Sequence, residues 1–135
     1  MSARSEEREA FLQDVITTAV EGGIGYWSQC SHYQWVHWDD GRVMVTVGQR
    51  GDRTDCYAVV HEVNDDESGY KDEALEINAD VIARGLRLLL DKQLVNSRMR
   101  NSIGQADREN DAGYIDSDDA DAIVQAGLLG EVRYG

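Results

Sequence analysis

The chain has 135 residues, near the commonest size for one domain, and 41% of them are hydrophobic, enough to bury a single core. Its 26 acidic residues outnumber 13 basic ones, and the formal net charge of −13 argues against direct binding of nucleic acid or an anionic membrane. Cys30 and Cys56, with no C-x-x-C spacing, are too few for a disulfide scaffold, and the polar start "MSARSEEREAF" lacks a signal peptide's apolar region, so a cytoplasmic protein with no membrane partner is expected.

The pattern over residues 5 to 21 predicts a helix, because Phe11, Leu12, Val15, Ile16, Ala19 and Val20 recur at three- and four-residue spacings. Ser5 suits its N-cap, Glu6 and Glu7 suit the positive end of its dipole, and Gly22-Gly23 is the expected stop. The runs "YQWVHW" and "VMVTVG" flank Asp40-Gly41 and predict a β-hairpin. With Asp40 and Gly41 as the loop, Trp38 opposes Val43, His37 opposes Met44, Val36 opposes Val45, Trp35 opposes Thr46 and Gln34 opposes Val47. A third strand is expected over residues 56 to 63, with Tyr57, Val59, His61 and Val63 on one face.

The polar stretch "NDDESGYKDEALEI" reads as a loop ending in a short strand or helical turn. Asn78 is a cap for "ADVIARGLRLLLDKQL", where Val81, Ile82, Gly85, Leu88 and Leu89 form an apolar stripe. Residues 95 to 114 have no clear period, a continuing helix followed by a mobile loop being one reading of them. A last helix begins at Asp116 or Ser117, with Ile123, Val124, Gly127 and Leu128 as its stripe, and "GEVRYG" is expected to dock as an edge strand. The expected fold is one α+β domain, residues 1–135: an N-terminal helix, a three-stranded antiparallel β-meander, and C-terminal helices packed on one sheet face.

Chemistry-bearing residues cluster between positions 30 and 61, but their spacing is poor for metal. Cys56 and His61 lie an odd number of residues apart on one strand and point to opposite faces, while Cys30, His32 and His37 converge only if the chain turns near Ser31. A cysteine nucleophile would need a histidine partner, and no nucleophile elbow or oxyanion loop accompanies either thiol. "GGIG" follows a helix instead of joining a strand to one, which suits helix termination better than phosphate binding. "DRENDAGYIDSD" fails as a calcium loop, with Ala112 at the sixth place and Asp118 at the twelfth. No metal, cofactor or catalytic residue is expected.

Charge is segregated: acidic from Glu62 to Asp80, basic from Arg84 to Arg100, and acidic again from Asp107 to Asp121. That pattern suits a protein partner, with Tyr33, Trp35 and Trp38 as aromatic contacts and Asp65, Asp66, Glu67, Asp72 and Glu73 as acidic ones. The alternative is a small-molecule site or small enzyme in which Trp35, His37, Tyr57 and His61 line the open sheet face. Homo-oligomerisation stays open. The segments "ITTAVEGGIGYW", "EINADVIARGL" and "DADAIVQAGLLGEVRYG" resemble small uncharacterised acidic proteins of actinobacterial phages and mobile elements. That resemblance carries no site residue. It implies an accessory factor that binds a host protein, including an inhibitor of a host defence or nucleic-acid-binding protein.

Overall fold

A computed structural model describes residues 4–39, 42–47, 57–63 and 69–135, with the backbone alone for 35–39 and 42–47. Helix α1, Glu6–Gly22, opens where expected: Ser5 is its N-cap and accepts the Arg8 N–H at 3.1 Å, with Glu6, Glu7 and Glu9 in the first turn. Phe11, Leu12, Val15, Ile16 and Ala19 are buried along one face. Gly23 ends the helix for a steric reason. Its φ of −113° is ordinary, but a Cβ there would lie 2.7 Å from the Ser117 carbonyl oxygen. The chain then makes a tight turn that buries Ile24 and Trp27.

Strand β1, Ser28–Asp39, begins at Ser28, ahead of the expected Tyr33, so Cys30 and His32 belong to a strand and not to a corner before it. It pairs with β2, Arg42–Val47, in the predicted register, Trp35 opposite Thr46 and Trp38 opposite Val43. Strand β3, Tyr57–Glu62, and a short β4, Leu75–Ile77, complete the sheet. The α+β class, the N-terminal helix, three antiparallel strands and C-terminal helices are as expected. The strand order β2-β1-β3-β4 differs from a simple meander, which would put β2 in the middle. The 12 residues of β1 explain the difference: positions 34–39 pair with β2, while positions 28–34 remain to pair with β3 on the other edge. A bulge between Cys30 and His32 absorbs one residue, Ser31, in that second pairing.

Three helices follow: α2, Ala79–Lys92, α3, Ser97–Glu109, and α4, Ser117–Leu129, with a short 3-10 turn at Ala112–Tyr114 before the last. Asn78, Asn96 and Asp116 cap them, and Asp116 forms a capping box with Asp119. The stretch without a legible period is therefore helical. Asn96 starts α3, Asn110 ends it at φ 52°, and Ile103 and Ala106 anchor it in the core. The helices cover one sheet face, where Tyr33, Ala58, Val60, Leu75 and Ile77 join the apolar cluster. Tyr57 is also buried but stands outside that cluster, on the strand positions that alternate with Ala58 and Val60.

Helices α2 and α4 touch backbone to backbone. A Cβ on Gly85 would run into the Ile123 carbonyl, and one on Gly127 into the Val81 carbonyl. Arg84 seals the crossing by donating from Nε to the Gly127 carbonyl oxygen at 2.8 Å. Gly85→Ala and Gly127→Ala are each expected to lower stability by about 2 kcal/mol, because a clash with main chain outweighs the roughly 1 kcal/mol gained in helix propensity. Gly104→Ala is the control: its Cβ would meet only the Arg108 side chain at 3.3 Å and Leu90 at 3.8 Å, and urea midpoints should show no loss.

Candidate functional site

The residues expected to carry binding fall in different places. Tyr33 packs against the core, and its hydroxyl donates to Glu21 at 3.4 Å. Asp72 and Glu73 are exposed on the approach to β4. Trp35, His37 and Trp38 occupy β1 positions opposite Thr46, Met44 and Val43, and their side chains lie outside the described part of the molecule. Asp65, Asp66, Glu67 and Cys56 lie outside the described residues altogether. Tyr57 pairs across the sheet with Gln34, and His61 with Gln29.

Tyr57 and His61 do share a cleft of about 410 Å³ with Ser31, His32, Val59 and Glu76, on the sheet face away from the helices. His61 Nδ1 is 3.1 Å from the Lys71 carbonyl oxygen and Nε2 is 3.2 Å from Ser31 Oγ. A carbonyl can only accept, so Nδ1 carries a proton in this contact, and Nε2 faces the Ser31 hydroxyl. Ser31 Oγ is also 3.3 Å from the Val59 carbonyl oxygen. The Ser31 hydroxyl, with one proton, thus has two acceptors within reach. Cys30 donates its thiol to the His32 carbonyl at 3.0 Å, and partial burial pushes its pKa up, opposite to what a reactive thiolate needs. Among the described residues no three of His, Cys, Asp and Glu are grouped to hold a metal ion.

A second constellation was not anticipated. Asp121, on α4, accepts three hydrogen bonds: from the Tyr26 hydroxyl at 2.6 Å, from Trp27 Nε1 at 2.7 Å, and from Gln125 Nε2 at 2.9 Å. Gln125 is fully buried, and its Oε1 accepts the consecutive main-chain N–H groups of Arg133 and Tyr134, both at 2.8 Å. Its Nε2 also donates to the Tyr134 carbonyl at 3.2 Å. The Tyr134 ring lies flat on Trp27, centroids 5.3 Å apart and planes 5° from parallel. Beneath it Glu62, on the helix-facing side of β3, accepts the Tyr134 hydroxyl at 2.9 Å and Arg133 Nη1 at 3.0 Å. The tail therefore docks as irregular chain and not as the expected edge strand, because one side-chain amide takes the place of a neighbouring strand's peptide.

Burial sets the electrostatics of this layer. Desolvation first, and the Asp121 carboxylate second, push the Tyr26 hydroxyl pKa up to about 12. Tyr134 is raised in the same way, by burial and then by Glu62. The second acidic stretch of the sequence is thus only partly a surface feature, since Asp119 and Asp121 are 5% and 8% exposed. Beside the network an open cleft of about 440 Å³ is walled by Tyr26, Val95, Met99, Val132 and Tyr134, with Asp118 at its rim. No sequence motif marks these groups. The one available signal was the polar pair Asp121 and Gln125, four residues apart within the apolar run of α4.

The chain matches no protein-family model, and no curated protein or solved structure is significantly similar to it.

Asp121→Ala should cost about 2–3 kcal/mol, since it leaves the buried Trp27 N–H without an acceptor and frees Gln125; urea unfolding followed by tryptophan fluorescence measures the loss. Asp119 predicts a pH dependence. Burial pushes its pKa up to about 6 in the folded chain, from an ordinary 3.8, so the native state holds its proton longer than the unfolded state. Its contribution to stability is full below about pH 4 and is lost as the pH rises to about 6. Asp119→Asn, which keeps an acceptor for the Asp116 N–H, should flatten that part of the stability curve.

Proposed function

We propose that the chain is a non-catalytic protein-binding factor that engages a basic surface of its partner, in the manner of a phage-type accessory protein that inhibits a host defence or nucleic-acid-binding protein. The observation that carries this reading is the exposed acidic approach to the sheet edge: Asp72 and Glu73 stand in solvent just before β4, and Glu76 is exposed within it. A net charge of −13 adds a long-range field that would steer a cationic partner toward that edge and repel nucleic acid itself. Asp65, Asp66 and Glu67, with Trp35 and Trp38, complete the proposed contact set, from which the packing of Tyr33 against the core removes it. The raised pKa of Cys30 speaks against a reactive thiolate there.

A second reading rests on the cleft that joins Tyr57 and His61, which would take a small molecule against the outer sheet face; the expected partners Trp35 and His37 do not belong to it, because their β1 positions are in phase with Tyr33 and Ala58 on the other face of the sheet.

Co-purification with the tagged full chain from its native host separates the two. The first reading expects a specific partner whose capture falls at least about tenfold when Asp65, Asp66, Glu67, Asp72 and Glu73 are reversed to lysine, and falls also with added salt. Recovery of no specific partner, or capture indifferent to those reversals, would overturn it. The second reading expects a ligand-induced rise in melting temperature that His61→Ala abolishes.

A further inference from the structure

The contacts that hold residues 131–135 amount to a reading head for a short extended peptide. Gln125 recognises main chain, because its amide meets two successive N–H groups and one carbonyl regardless of the side chains they carry. Trp27 offers a flat face for one aromatic ring. Glu62, with a side chain only 9% exposed, accepts both a guanidinium and the phenol next to it. Together these select an arginine followed by a tyrosine.

The groove is organised by groups outside the tail. Trp27 Nε1 and Gln125 Nε2 are both anchored on Asp121, and Lys71 Nζ lies 3.7 Å from Glu62. The tail adds no helix or strand of its own and leaves α4 through Gly130, at φ 77°. The Arg133 side chain is 42% exposed, so the charged end of the groove is open to solvent.

We infer that this groove is a receptor for extended Arg-Tyr segments, which the chain's own tail fills in cis and a basic partner's segment of the same chemistry displaces. The inference rests on the protein-binding reading above and names the motif the partner would present. Tethering keeps the tail at an effective concentration of about a millimolar, so an untethered segment binds the intact chain weakly and a tail-disabled chain well.

The test uses the full-length chain carrying Arg133→Glu and Tyr134→Ser, and a labelled, end-blocked peptide of sequence Glu-Val-Arg-Tyr-Gly. Fluorescence anisotropy should show binding at least about tenfold tighter than to the wild-type chain. Peptides with the arginine replaced by glutamate, or the tyrosine by serine, should lose it, and so should the disabled chain carrying Glu62→Gln. A folded disabled chain that ignores the peptide, or binds all three alike, overturns the inference. Should that double variant not fold, isotope-labelled wild-type chain is titrated with the peptide to millimolar concentration: amide signals of Arg133 and Tyr134 moving to free-chain positions support displacement, and unmoved signals overturn it. Peptide binding without a captured partner would overturn only the wider reading, and a captured partner without peptide binding only this one.

Discussion

Everything in the molecule hangs on how closely α4 is allowed to approach its neighbours. Gly85 and Gly127 let α2 and α4 meet carbonyl to Cα, and Gly23 lets the end of α1 sit on the Ser117 carbonyl at the start of α4. Side chains at these three places would push the helix outward. Residues Asp119 through Gly127 are consequently all buried, an unusual condition for a helix that carries two carboxylates and a glutamine.

That burial explains the polar layer. A carboxylate removed from water is tolerated only when its lone pairs are filled, and Asp121 meets that requirement with three donors from two segments. Those bonds fix the turn after α1, orient Trp27, and hold Gln125 where it can take up the tail. Position of α4, placement of the aromatic pair and docking of residues 131–135 are therefore one coupled event. The acidic residues act in two ways: Glu62, Asp119 and Asp121 organise the interior, while others such as Asp72 and Glu73 face solvent.

Much of the local structure was legible because it depends on short-range physics. Ser5, Asn78 and Asp116 cap their helices, most of the apolar stripes of α1 and α2 is buried, and β1 meets β2 in the expected hairpin register, Trp38 opposite Val43 through Gln34 opposite Val47, while the expected loop residues Asp40 and Gly41 lie outside the described residues. α3 was not legible, since its polar sequence supplies a cap at Asn96 but only a thin apolar face around Ile103 and Ala106. Of the residues proposed for binding, Asp72 and Glu73 are exposed, whereas Tyr33 packs against the core.

The sequence by itself determined where helices start and stop, which faces are apolar and how β1 meets β2, because each is settled by residues within a few positions of one another. Tertiary structure alone decided that β3 returns to β1 and not to β2, that glycines 85 and 127 are contact points, and that Asp121 and Gln125 reach Trp27 and the tail. These join residues up to 99 positions apart, as in the weak bond from Gln125 to the Tyr26 hydroxyl. No local pattern records them, because their energy comes from excluding water between distant segments and exists only once those segments have met.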